Sequence, residues 1–274
     1  KAPTASLPDR PWYDRLNVLN VTFLIFLIGV VYSVTHIDGS GRSIDYWAQF
    51  QFFATAFFPP DFSAMTLVET VEALGETVKI ALISTFLAIL TSFVLALGAA
   101  QNIAPKWMVL SVRMLLNLIR SIPSLVWAVI AVMMVGANPL AGVVALTFYS
   151  IGYLGKFFSE DFESVNTNVA QGLRAMGADP IQSFQYGMWP KAKPLIWSHS
   201  LWMLEYNIRS ASIIGYVGAG GIGAQLHAYQ EYHQWESFST VLLFILGVVV
   251  CLDLLGEYIR KKLSLSPDNE TLSS

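Results

Sequence analysis

Five runs of the chain carry no Asp, Glu, Lys or Arg: Leu16–Ile37, Ile80–Pro105, Ser121–Gly155, Ser210–Gln230 and Ser237–Leu252. A helix needs about 20 apolar residues to cross a bilayer. Runs of this length and number do not fit a water-soluble core. Charged residues make up only 13% of the chain and mean hydropathy is +0.53, against about 25% charged in an ordinary globular domain. Ser121–Gly155 spans 35 residues, roughly 52 Å as helix, which is too long for one crossing. It has to turn, and the Gly136–Pro139 stretch is the place.

The pattern predicts an all-α membrane protein with about six spans: Val18–His36, Gly75–Ala100, Met108–Val135, Leu140–Phe158, Pro194–Ile214 and Phe238–Tyr258. In that arrangement eleven Lys and Arg residues lie on one side (Lys1, Arg10, Arg15, Lys106, Lys156, Arg174, Lys191, Lys193, Arg260, Lys261 and Lys262), with only Arg42 opposite. Positive charge stays inside, so both termini are expected in the cytoplasm. Lys1–Arg15 is polar and no small-residue cleavage site follows the first span, so that span reads as a retained anchor. Cys251 is the single cysteine. It gives no intrachain disulfide and no cysteine metal site. The net charge of −3 offers no basis for nucleic-acid contact, which leaves membrane lipid as the surrounding partner.

The longest polar stretch of the second half is Asn166–Pro190. Asn166 or Thr167 caps a first short helix with Val169, Leu173 and Met176 on one face. Gly177 ends it in a left-handed turn. Asp179 then caps a second helix with Pro180 at its first position and Gln182 as capping-box partner. Ile181, Phe184 and Met188 share its face, and Pro190 is expected to stop it. Two short helices hinged at a glycine between membrane spans form a docking handle.

Gly177, with Pro190 thirteen positions later, resembles the cytoplasmic coupling loop of ABC-importer permeases, EAA-x3-G-x9-I-x-L-P. Gln171, Gly172 and Leu173 stand in place of the EAA triplet, and Gly187 and Trp189 in place of the Ile and Leu. The surrounding GLRAMGA, the Arg120–Ser124 segment RSIPS, the Glu205–Gly223 segment and the Lys156–Glu163 segment are most similar to phosphonate-type permeases, over roughly Thr66 to Leu263. The resemblance implies a type I ABC importer-like subunit, one permease domain over residues 1–274. Its parts are a cytoplasmic N-terminus (1–17), an interfacial aromatic helix (45–60), a coupling loop (166–190) and a tail (264–274). It further implies a homodimer with the pathway between protomers, cytoplasmic ATP-binding subunits, a periplasmic solute-binding protein and a bacterial inner-membrane location. Arg174, Ala175, Gly177, Ala178, Asp179 and Pro190 would couple to the ATPase. ATP and Mg would sit on that partner, since no G-x-x-x-x-G-K-[ST] occurs here and this chain is expected to bind no cofactor. The implied cargo is a phosphonate or related phosphorus oxyanion such as phosphite. A methionine-type permease is the alternative within the class.

Other residues bear on the pathway. Thr66 and Glu69 form an expected capping box, after which Glu69, Glu72, Glu76 and Lys79 stripe one face of the second long helix. Arg120 falls near mid-membrane, where a bare guanidinium is costly, so it should face protein or a water-filled cavity. Pro123 bends the third span. Glu160, Asp161 and Glu163 are free to pair with Arg174 or with a partner. Glu205 and Arg209 are spaced for an internal i, i+4 ion pair, with Arg209 also able to serve an oxyanion. Asp253 and Glu257 would pair near Arg260–Lys262. Gly218, Gly220 and Gly223 satisfy G-x-G-x-x-G, with Gly221 among them. They follow a membrane helix rather than a strand, so a helix break exposing backbone amides is the better reading. His227, Glu231, His233 and Glu236 lack metal-site spacing, and no metal is expected. A secondary transporter would need internal repeats. An intramembrane enzyme would need a nucleophile–base pair, and His199 beside Ser198 and Ser200 does not supply one.

Overall fold

The computed structural model of the protein describes residues 18–36 and 45–264. The expectations for Lys1–Arg15, for Arg42 and for the tail beyond Ser264 lie outside the described residues. The chain divides into two units, Lys1–Phe52 and Phe53–Ser274. In the first, α1 (Val18–His36) exposes every described side chain along its length. The aromatic helix α2 (Tyr46–Ala56) starts where the Asp45 carboxylate accepts the Trp47 amide at 3.0 Å. It runs across the boundary between the units.

The second unit is built on α3 (Ala64–Ala99), α6 (Pro139–Ser164) and α9 (Trp189–Ile214). At 36 residues α3 is about 54 Å long, enough to cross a bilayer and project beyond it. Its start differs from the Thr66/Glu69 capping box. The helix begins earlier, at a Ser63 cap whose side chain accepts the Thr66 amide at 3.4 Å. Asp61 holds that cap, accepting from the Thr66 hydroxyl at 2.6 Å and the Ser63 amide at 2.9 Å. Those bonds, with others from the Ser63 and Ser237 hydroxyls, outweigh desolvation and lower the Asp61 pKa from its ordinary value. Glu69 is left to accept the Tyr229 hydroxyl at 2.8 Å.

Small residues line the contact between the long helices. Ala81, Ala88 and Ala96 of α3 and Ala141 and Ala145 of α6 are wholly buried, which lets backbones approach where lipid offers no hydrophobic drive for association. A polar knot sits inside this packing. The wholly buried Asn207 of α9 donates to Thr85 of α3 at 2.9 Å and to Ser150 of α6 at 2.8 Å. The aromatic end of α6 follows, with Phe158 and Phe162 fully buried and Phe162 edge-on to Phe93 and Phe184.

The expected third span, Met108–Val135, is not one bent helix. It breaks into α4 (Lys106–Ser121) and α5 (Ser124–Val135), which meet at 88°. Pro123 lacks an N–H and forces Ile122 out of the helical region, to ψ 121°, so the ladder stops on both sides of it. Gly136, at φ 85°, ends α5, and Asn138 caps α6 by accepting the Leu140 amide at 2.9 Å. The chain thus turns at the stretch the sequence marked.

After α6 come α7 (Asn168–Ala175), α8 (Pro180–Ser183), a π turn at Phe184–Met188 and α9. A tight turn at Gly215–Val217 and a glycine loop lead to α10 (Gly221–Glu231), then α11 (Trp235–Ser264). Among the described residues three helices are long and apolar enough to span a bilayer, or four if α4 and α5 form one broken span. α9 has the length, but Lys191, Lys193, His199, Glu205 and Arg209 make it more polar. The helix count of six is therefore an expectation beyond what these helices establish.

Candidate functional site

The α7–α8 loop has the hinge the sequence predicts. Gly177 is at φ 97° with nothing within 4 Å of where a Cβ would stand. The Ala178 amide reaches back to the Leu173 carbonyl at 3.0 Å, closing the last turn of α7. Asp179 and Gln182 form the full capping box, at 2.7 and 3.2 Å. Two expectations need correction. Pro190 does not stop the second helix; it lies in the first turn of α9, and the π turn before it carries the chain on into that rod. A proline needs no N–H donor at a helix start, so it begins a helix as readily as it ends one.

The buried face is also only partly the one the periodicity picks: Met188 and the half-buried Phe184 face inward, Ile181 does not. Ala170, Ser183, Gly187 and Met188 are buried, whereas Val169, Met176, Ile181 and Tyr186 are exposed. The reason is Gly187. A Cβ there would lie 2.8 Å from Ala170 Cα, and the Ser183 hydroxyl donates to the Ala170 carbonyl at 2.7 Å. The two short helices close on Ala170, Ser183 and Gly187, keep Met188 and the half-buried Phe184 on the inner side, and turn Val169, Met176, Ile181 and Tyr186 outward. Arg174 and Ala175, also exposed, share that outward surface with Asp179.

The opposite end of the unit is the glycine loop. Gly218, Gly220 and Gly221 have φ of 96°, 77° and 68°, which only glycine adopts readily. A Cβ on Gly223 would strike the Ser212 carbonyl, and one on Gly220 would lie 2.9 Å from Pro139 Cγ. The expectation of free backbone amides is corrected here. The Gly221 amide donates to Glu76 at 2.9 Å and the Ile222 amide to Thr77 at 2.8 Å. The N-terminus of α10 is thus closed by a carboxylate and a hydroxyl from α3, which suits its partial positive charge.

Glu205 and Arg209 do not pair with each other. Glu205 accepts from Arg260 at 2.5 Å and Arg209 donates to Asp253 at 2.9 Å. These are two rungs between α9 and α11. The inner rung is the more sheltered, its side chains 13% and 31% exposed for Glu205 and Arg260. Asp253 therefore does not join the Arg260–Lys262 cluster, although Glu257 pairs with Lys261 at 2.6 Å. Gly256 makes the inner rung possible, because a Cβ there would collide with the Glu205 carboxylate. Nothing in the sequence periodicity links Gly256 to Glu205. A glycine near two charges on a neighbouring apolar helix was the available signal.

The acidic cluster is likewise committed within the chain. Lys156 pairs with Glu160 at 3.4 Å, His199 with the buried Asp161 at 2.8 Å, and Arg113 with Glu163 at 2.5 Å. Arg174 takes no part. Arg120 differs from the other arginines of the long helices. No carboxylate partners it among the described residues, and its guanidinium lies 5.6 Å from the Tyr153 ring centre. Among the described residues no group of three His, Cys, Asp or Glu side chains could hold a metal ion. His227 makes a long contact of 3.9 Å with Glu231 and lies edge-on to the Tyr216 ring.

The chain is 32% identical over 256 residues to the phosphite transport system permease protein PtxC of Stutzerimonas stutzeri, covering 91% of this chain and 90% of that one. It is 28% identical over 213 residues to the phosphate-import permease protein PhnE of Mycolicibacterium smegmatis, 76% of this chain and 39% of that one. Among solved structures, the MetNI methionine ABC transporter in an inward-facing conformation matches with a TM-score of 0.64 at 21% identity, over 74% of this chain and 99% of its counterpart. That likeness concerns the fold. Residues 88–265 match the family described as the binding-protein-dependent transport system inner membrane component. The chain belongs to that family, and is a membrane transport component rather than an enzyme.

Proposed function

We propose that this chain is the permease subunit of an ATP-driven importer that moves phosphite or a related small phosphorus oxyanion across the bacterial inner membrane. The observation that carries it is the 32% identity to a phosphite permease along nine tenths of both chains. In this reading α7 and α8 are the coupling handle. Val169, Met176, Ile181 and Tyr186 form its apolar surface, and Arg174, Ala175, Gly177, Ala178 and Asp179 its rim, against an ATP-binding subunit that carries ATP and Mg. The end holding the glycine loop and α10 faces the periplasm and a solute-binding protein. Two copies of the chain enclose the pathway. Arg120, Pro123, Glu205, Arg209 and the glycines at 218, 220, 221 and 223 shape its walls and hinges, and both termini lie in the cytoplasm.

ATP hydrolysis by the assembled complex in nanodiscs tests the reading. Binding protein loaded with phosphite or methylphosphonate should stimulate hydrolysis several-fold. Stimulation by methionine-loaded binding protein alone would overturn it.

A further inference from the structure

Between α4 and α6 lies a cavity of about 290 Å³ lined by Arg113, Asn117, Arg120, Lys156, Ser159 and Glu160. Its α4 wall is built by spacing: Arg113, Asn117 and Arg120 stand at i, i+4 and i+7 and so share one face of the helix. α4 can come close to α6 because Gly152 and Gly155 lie beneath it. A Cβ on Gly152 would sit 3.1 Å from the Arg120 amide, and one on Gly155 2.7 Å from Leu116 Cδ2.

The charges in this cavity are unequal in their commitments. Arg113 is held by Glu163 at 2.5 Å, and it also donates to the Ala99 carbonyl at 2.9 Å. Lys156 is held by Glu160 at 3.4 Å. Among the described residues Arg120 has no acid; the Tyr153 ring lies 5.6 Å away, a contact that does not neutralise the guanidinium. The Asn117 amide makes no hydrogen bond among the described residues. Arg120 lies fourteen residues along α4 from Lys106, about 21 Å, which is inside the bilayer if Lys106 marks its edge. A guanidinium at that depth needs a counter-charge or water.

The geometry points to a tetrahedral phosphorus oxyanion as that counter-charge. The planar fork of Arg120 would bind two of its oxygens, the Asn117 amide a third, and Lys156 would supply long-range attraction. Two sources share this chemistry: the imported solute on its way to the cytoplasm, and the phosphodiester of an anionic lipid headgroup. The preference for phosphorus rests on the import reading above. The cavity and its unpaired arginine stand without it.

The full-length chain in phosphatidylcholine nanodiscs, titrated with phosphite and with phosphate, tests the solute form. Native mass spectrometry of nanodiscs containing phosphatidylglycerol tests the headgroup form. Solute binding that Arg120→Gln weakens roughly tenfold or more, and Asn117→Ala by less, supports the first. Retained phosphatidylglycerol that Arg120→Gln releases, with no solute bound, supports the second. Asn117 is exposed, so Asn117→Ala remains informative if Arg120→Gln fails to fold. Neither ligand held, or both held equally by wild type and Asn117→Ala and Arg120→Gln, overturns the site. Uptake by the whole complex separates the two readings. Phosphite import with nothing bound at the cavity removes the site alone, and a lipid headgroup held at Arg120 without phosphite import removes the import reading alone.

Discussion

At the scale of single residues, the intramembrane charges act as struts between helices. Arg209 and Glu205 look like an i, i+4 pair on α9, yet each reaches α11, to Asp253 and Arg260. The two rungs should differ in worth. Arg209 and Asp253 are about half exposed, at 50% and 52%, where an ion pair contributes about 0–1 kcal/mol. Glu205 is sheltered, and losing a charge-assisted hydrogen bond there costs about 1.5–3 kcal/mol. Thermal unfolding of the purified protein should therefore show a larger loss for Glu205→Gln than for Asp253→Asn. Gly256→Ala should reproduce the Glu205→Gln loss, since its methyl occupies the carboxylate's place. Equal losses from all three would contradict the difference in worth between the two rungs. Sequence spacing could propose partners on one helix but not across two, because the register between α9 and α11 is set by Gly256.

At the scale of elements, the hinge and the capping box of the α7–α8 loop were legible, while its buried face was legible only at Phe184 and Met188. Asp179, Pro180, Gln182 and Gly177 act locally, through backbone groups three or four residues away, so their roles can be read along the chain. Which face is buried depends on what the loop packs against. Here the loop folds on itself at Ala170 and Gly187, and a 3.6-residue period cannot show this. The break at Pro123 was legible in position but not in size. A proline marks where a helix is interrupted, whereas the 88° turn comes from how α4 and α5 pack on α6. The outward apolar residues give the handle its own prediction. Met176→Asp and Ile181→Asp, at positions 79% and 75% exposed, should leave thermal unfolding unchanged. Each should lower ATPase stimulation of the assembled complex by roughly tenfold, as expected for an apolar anchor lost from an interface. Full stimulation in both variants would place the ATP-binding subunit elsewhere.

At the scale of the whole molecule, the class of the protein follows from its charge-free runs, and the family match over residues 88–265 agrees with it. The number of crossings is less directly readable, because α9 carries its charges inward to α6 and α11 and so looks too polar by composition. Orientation can be checked by labelling. In a Cys251→Ala background, needed because Cys251 is exposed, a cysteine at Ala175 should react with an impermeant maleimide from the cytoplasmic side alone. One at Gln230 should react from the outside alone. Labelling of both from one side would undo the arrangement of α9 as a crossing helix. The most direct measurement of the central claim is phosphite accumulation in sealed proteoliposomes that hold the permease, its ATP-binding subunits and internal ATP, with binding protein outside. The account predicts accumulation above the external concentration that ceases when ATP is left out. Accumulation driven by an ion gradient without ATP, or uptake of methionine with none of phosphite, would contradict it.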